Sequence, residues 1–336
     1  MKKTALKFLK FLGFFVIGVF IFWLIYKDQD IERIKAVLKN EVNYWWIVLS
    51  LLIGLLSHFS RTIRWRLMIE PIGHKPGFFN TFLAVMVGYL MNLAIPRMGE
   101  ISRCGIISRY EKISFTKLFG TVVAERLIDM ISLLILLVIV ILSQFGKMIE
   151  FLNSNPEIKE KLTSAVSSPY VIIGFVVLVL MVFLFRKPIQ NTLFYKKIKG
   201  ILINFKEGFI SIRSIKKKGW FYFHSALIWI LYYLMLYVVF FAFGFTSHLG
   251  PIAGLTTFVL ASFGMAAPVQ GGIGAWHFMA IEALQLYGVA YENGVIFAFV
   301  AHSSMTLMII VIGILSLLAL PFVNRRKVPE NEEIKT

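Results

Sequence analysis

Pro268-Val269-Gln270-Gly271-Gly272-Ile273-Gly274 interrupts an apolar run that otherwise extends from Ile252 to Tyr287. Proline lacks the N–H that a continuous helix needs, and a glycine cluster admits backbone shapes that other residues resist. The run therefore reads as two short helices joined by a break. A second break of the same kind stands at Pro96-Arg97-Met98-Gly99-Glu100, where the apolar run Phe78–Ile95 meets the polar stretch Arg97–Lys117. In a membrane, a broken helix leaves N–H and C=O groups that only protein or a water-lined cavity can satisfy.

Composition makes the bilayer the solvent. Of 336 residues, 58% are apolar and only 16% are charged, against about 25% charged in soluble domains. Mean hydropathy is +0.77. Further apolar runs at Phe8–Tyr26, Tyr44–Ser60, Leu118–Leu142, Tyr170–Phe185, Trp220–Phe245 and Val295–Phe322 approach spanning length. The expected fold is an all-α polytopic membrane protein with about six full spans and two re-entrant helical hairpins. The first run follows Lys2, Lys3, Lys7 and Lys10. Tyr26-Lys27-Asp28 is no small-residue cleavage site, so the run reads as a retained anchor. A single cysteine, Cys104, excludes a disulfide framework.

The net charge of +17 is unevenly placed. Residues 1–10, 61–75, 97–117, 186–218 and 325–336 hold 27 basic and seven acidic residues, whereas 219–324 contain no Lys or Arg. The positive-inside rule then puts both termini and these loops in the cytoplasm, and the loop around Asp28–Glu41 outside. The basic excess reads as a cytoplasmic face on anionic lipid rather than a nucleic-acid surface. On this count the chain is one membrane domain over 1–324 with a cytoplasmic tail at 325–336. Its units at about 44–143 and 218–322 run in opposite senses as an inverted repeat. Broken helices at matching positions of inverted halves mark the central site of transporters.

The ionisable residues near the breaks are the candidate ligands for a headgroup. Arg97, Glu100 and Arg103 adjoin the first break, where an arginine can hold a phosphate bidentately. Glu125 and Asp129 share a helix face, and Arg126 is spaced to pair with Asp129. Charges inside a span face the protein interior or a cavity. The second break offers Gln270, Gly271, Gly272 and His277, and His302 lies in the last span. Arg61, Arg64 and Arg66, at the inner end of the second span, read as interface anchors, and Arg109 as part of the basic face. No metal spacing, P-loop, His-Glu-x-x-His or Gly-x-Ser-x-Gly is present in the sequence. Neither an enzyme nor a cofactor is expected.

Arg97-Met98-Gly99-Glu100-Ile101-Ser102-Arg103, Glu125-Arg126-Leu127-Ile128-Asp129 and Pro268-x-x-Gly271-Gly272-Ile273-Gly274, in that order, resemble the lysylphosphatidylglycerol synthase transmembrane-region family of flippase-like membrane proteins. The resemblance implies a polytopic inner-membrane protein related to lipid movement. The soluble aminoacyltransferase domain that makes the lipid in the best-known members has no counterpart in this sequence, so no synthase activity is implied. The expected function is a flippase for an anionic-headgroup lipid of phospholipid or polyprenyl-phosphate type. The alternative is a non-transporting scaffold or accessory subunit of a lipid-modifying or glycosyltransferase system. Expected partners are membrane lipids, among them anionic lipid at the cytoplasmic face, with a lipid-modifying enzyme as a candidate partner and no nucleic acid.

Overall fold

A computed structural model describes residues 16, 18–154, 164, 214–267 and 269–324. The described residues are helical, with no strand among them. Residues 18–26 are helical. The helices that follow are α1 (Ile31–Asn40), α2 (Tyr44–Ile69), α3 (Phe78–Ala94), α4 (Met98–Glu111), α5 (Phe115–Ser154), α6 (Lys218–Phe240), α7 (Pro251–Ala266), α8 (Ala275–Gln285) and α9 (Tyr291–Val323). Among the described residues, α2, α5, α6 and α9 are long and apolar enough to cross a bilayer. The expected span at 170–185, the basic loop up to 213, the tail at 325–336 and Pro268 itself lie outside the described residues.

Both expected breaks are present, and each joins two short antiparallel helices. The first lies at Ile95–Arg97, where Arg97 has φ 63°. The polar stretch after it is itself a helix, α4. The α3 and α4 arms have 17 and 14 residues, about 25 and 21 Å, which is short of a 30 Å hydrocarbon core. Glycine lets their backbones meet: a side chain on Gly88 would begin 3.0 Å from the Gly99 carbonyl oxygen. At the base of the hairpin, the Asn80 amide donates to Glu111 across 2.5 Å. The second hairpin is α7 with α8. Its turn holds Gly271, Gly272 and Gly274 at φ 56°, 74° and 80°, in the left-handed region. A side chain on Gly274 would begin 2.5 Å from the Gly18 carbonyl oxygen, because residues 18–26 pack against this turn.

The register along α9 orients the two hairpins. Near its end, Asn324 exchanges two hydrogen bonds with Asn80 (2.9 and 2.8 Å) at the base of the first hairpin. One segment earlier, Gly313 packs on Leu90, close to that hairpin's tip. Next, His302 Nε2 donates to the Gly271 carbonyl at the second tip (2.9 Å). Earlier still, Gly294 packs on Ile281 in the second hairpin's arm. The hairpins thus approach tip to tip along α9. Leu93 fills the space a side chain on Gly271 would need, with Cδ2 2.7 Å from the ideal Cβ.

A second axis is the antiparallel pair α2 and α6. The Asn43 N–H donates to the Ala242 carbonyl (2.9 Å), Ser50 donates to the Met235 carbonyl (2.6 Å), and Ser60 Oγ lies 2.9 Å from His224 Nδ1. The helix order long, short, short, long occurs twice. Its starts pair as Tyr44 with Lys218, Phe78 with Pro251, Met98 with Ala275 and Phe115 with Tyr291, at a nearly constant interval.

Candidate functional site

The apolar run assigned to the second span ends at Ser60, but α2 continues to Ile69. That continuation overturns the reading of Arg61 and Arg64 as interface anchors. Both side chains point inward with Ser57, Ser60, Trp65 and Met68, which recur at helical spacing on one face. Arg64 has no exposed side-chain surface, and Arg61 has 5%. Arg66 lies apart: its Nε donates to the Pro76 carbonyl (2.9 Å) and its guanidinium covers the Phe78 ring.

The inward face of α2 meets α5. Glu125 and Asp129 share a face of α5, as their spacing requires, and they meet Arg61 and Arg64, which share a face of α2. Arg61 Nη1 donates to Glu125 and to Asp129 (3.1 Å). Arg64 Nη2 donates to Glu125 (3.2 Å) and lies 2.8 Å from Asp129 Oδ1. From α4, Arg103 Nη2 comes within 2.8 Å of Glu125 Oε2 while its guanidinium stacks over Trp65 (4.6 Å). Trp65 is held in turn by its N–H donation to Thr121 (2.9 Å).

Arg126 does not use the partner its spacing suggests. Its close contact is Glu100 on α4, at 2.7 Å, while Asp129 is 4.0 Å away. The long-range pair wins because α4 lies alongside α5. Arg126 is also the most open member of the cluster, with 45% of its side chain exposed.

Four guanidinium groups thus face three carboxylates. Burying charge costs several kcal/mol per ion unless partners compensate, and here the compensation is incomplete. The Nε and Nη1 of Arg64 and the Nε of Arg103 are buried without a hydrogen-bond partner. Arg103 also lines a narrow cleft, bounded further by Arg61, Arg126, Tyr89, Asn92 and the Gly88–Gly99 contact. Its interior, about 10 Å³, holds roughly one water. Tyr232 on α6 accepts from Arg61 Nε (3.3 Å) and lies 2.8 Å from the Tyr89 hydroxyl, so the cluster reaches across to the second half of the chain.

Arg97 stays outside this cluster. It is exposed at the turn. The start of α4 is also less open to an anion than a bare helix N-terminus, since Asn92 Oδ1 accepts the Gly99 N–H (2.7 Å).

The residues of the second break form a separate group. Gln270, His277 and His302 are buried. The rings of His277 and His302 lie 4.5 Å apart. Gly271 and Gly272 supply the turn rather than a side chain. Their group meets the first hairpin through Leu93 and Gly271, not through the arginines. Among the described residues, no group of His, Cys, Asp and Glu is placed to hold a metal.

The profile of the lysylphosphatidylglycerol synthase transmembrane region matches residues 10–313. The UPF0104 membrane protein MJ1595 of Methanocaldococcus jannaschii is 30% identical over 131 residues, covering 38% of this chain and 36% of the relative. The matched part therefore spans about a third of that relative's length. No solved structure matches the chain. The profile extends over the two hairpins, the buried arginine cluster and most of α9, and so the chain belongs to the lysylphosphatidylglycerol synthase transmembrane-region family.

Proposed function

We propose that this protein moves a lipid with an anionic headgroup, of phospholipid or polyprenyl-phosphate type, between the leaflets of the cell membrane. The observation that carries the reading is a buried pair of arginines inside an apolar protein: Arg64, with no exposed side-chain surface, has its Nε and Nη1 unpaired, and Arg103, whose Nε is also unpaired, lines the cleft. Guanidinium donors in a dry site suit phosphate oxygens. The surplus of one positive charge suits one negative charge on the ligand. Glu125 and Asp129 hold the arginines apart and oriented until that charge arrives.

On this reading α3–α4 and α7–α8 are re-entrant, entering from opposite sides, and the units at 44–143 and 218–322 are inverted repeats within one domain. Both termini face the cytoplasm, and the membrane is the cytoplasmic one. The cleft with room for about one water is then the closed state, and separation of the hairpin tips admits the headgroup while the tails stay in lipid. The protein makes and breaks no covalent bond. Net movement draws on mass action, an ion gradient or a partner such as a lipid-modifying enzyme.

The test is reconstitution into liposomes with a panel of labelled phospholipids and polyprenyl phosphates. Movement of an anionic lipid above protein-free vesicles, lost in Arg64→Gln, supports the reading. An inert protein across the whole panel favours the accessory-subunit reading.

A further inference from the structure

The buried polar groups at the second break lie apart from the arginine cluster and have their own chemistry. His302 Nε2 donates to the Gly271 carbonyl (2.9 Å), so in the neutral ring Nδ1 is the acceptor, facing the Thr306 hydroxyl at 3.3 Å. Both nitrogens of His302 are thereby assigned. His277 differs: its Nδ1 is buried without a hydrogen-bond partner, in a residue 1% exposed. The Nε2 of Gln270, 3% exposed, is also unpartnered. Two unsatisfied buried polar groups stand at one helix break, which favours a ligand that supplies their missing partners.

The surroundings set what that ligand is. Phe22 (5.3 Å) and Tyr26 (5.9 Å) from residues 18–26, and Trp276 (5.8 Å) from α8, meet the His277 ring. The titratable groups facing the pair are the two rings themselves and Tyr26. Beyond Tyr26 is Tyr291, which lies in the field of Asp28, Glu282 and Glu292. The first hairpin presents Leu93 and α7 presents Met265, both uncharged. A neutral imidazole with a free lone pair, beside a second imidazole and aromatic rings, can take one proton. Two charged rings 4.5 Å apart in an apolar interior would repel strongly.

We propose that His277 and His302 form a one-proton site, and that the imidazolium together with the Gln270 amide is a second station for a phosphate-bearing headgroup, making lipid movement proton-coupled. The inference rests on the transport reading above and adds its coupling ion. The balance is simple. In the His277 tautomer that carries its hydrogen on Nε2, hydronium on the acidic side gives a proton to the Nδ1 lone pair, forming one N–H bond and leaving water. The new N–H and the Gln270 N–H donate to phosphate oxygens, and the pair of charges cancels. On the other side the proton returns to water and the phosphate leaves. Because His302 holds the Gly271 carbonyl and Gly271 abuts Leu93, the proton and the tip contact share one piece of backbone.

Two measurements test this. In vesicles with one pH unit across the membrane, one proton per lipid gives about tenfold accumulation of labelled phosphatidylglycerol on the alkaline side. His277→Gln should remove that asymmetry and slow downhill movement as well. Purified protein in weakly buffered detergent should take up a proton when phosphatidylglycerol is added, read with an indicator dye. His277→Gln and Gln270→Leu, each checked for native elution and helicity, should not. Lipid movement that ignores the gradient, with no proton uptake by wild-type protein, overturns the coupling and leaves the transport reading standing. Proton uptake without any lipid movement supports the site and counts against transport.

Discussion

Gly88 and Gly99 face each other across the first hairpin so closely that a methyl group on Gly99 would overlap the Gly88 carbonyl oxygen and lie 2.7 Å from the Asn92 amide. The same Asn92 caps the Gly99 N–H. A Gly99→Ala change therefore forces the arms apart and breaks a cap at the tip. We expect a loss of at least about 2 kcal/mol, from overpacking, seen as a lower unfolding temperature in detergent. Gly105→Ala, inside the same helix where nothing lies within 4 Å, should hold it or raise it slightly, since alanine is the better helix former. Equal behaviour of the two variants would mean that the arms are not in backbone contact.

At the second tip, Gly271→Val meets two penalties. Its φ of 56° is costly for a β-branched residue, and Leu93 occupies the space. Gly288 also has positive φ, at 80°, but opens onto free space. Gly288→Val should thus cost backbone strain alone, of order 1–3 kcal/mol. The 271 variant should lose lipid movement as well, because the tips can no longer close. Stability separates the strain and vesicle transport separates the steric term. Full transport with valine at 271 would remove the tip contact from the mechanism.

What the sequence made legible was the pair of breaks, since proline and glycine act locally. The hairpins fall where Pro96 and Gly271-Gly272-Gly274 place them, and Phe78–Ile95 differs from α3 by one residue. The arginine cluster was half legible. Glu125 and Asp129 announce a shared face, but their partners Arg61 and Arg64 sit in a basic stretch where the positive-inside rule already accounts for arginine. The spacing of three in α2 and four in α5 becomes complementary only once those helices are neighbours, and no local pattern states that. Arg126 shows the same limit from the other side. Spacing offers Asp129, yet the tertiary partner Glu100 is nearer.

Arg126 and Glu100 make that distinction testable. Arg126→Glu places three acidic groups together and should weaken transport and folding. Adding Glu100→Arg rebuilds the pair with its charges reversed. We expect the double variant to recover stability, by a modest amount since Arg126 is 45% exposed. The exchange Arg126→Asp with Asp129→Arg should not recover, because Asp129 also serves Arg61 and Arg64. A double-mutant cycle in detergent reads both couplings. Greater recovery by the 126/129 exchange would contradict the geometry.

The proposed orientation is checked in a Cys104→Ser background. Lys35 in α1 and Lys75 before α3 are both exposed, and the single long helix α2 separates them. Lys35→Cys should label only from outside intact cells, and Lys75→Cys only after the membrane is opened. Labelling of both from the same side would break the parity on which the inverted arrangement depends.

Arg64 and Glu125 should respond unequally to loss of charge. Removing Glu125 as Glu125→Gln leaves Arg61, Arg64 and Arg103 without their shared counter-ion. Since Glu125 has no exposed surface, the uncompensated charge should cost about 3–5 kcal/mol and deplete the folded protein. Arg64→Gln instead leaves three guanidinium groups against three carboxylates, so the cluster becomes electrically balanced. The fold should survive with a smaller loss, because Arg61 and Arg103 still hold Glu125. Lipid movement should nevertheless fall to background, since Arg64 carries two of the cluster's unpaired buried donors and its surplus positive charge. Unfolding in detergent ranks the two stabilities, and vesicles made from the Arg64→Gln protein measure transport separately. If that protein moves lipid at the wild-type rate, the surplus cation is not the headgroup's partner, and the cluster serves only to join α2, α4 and α5.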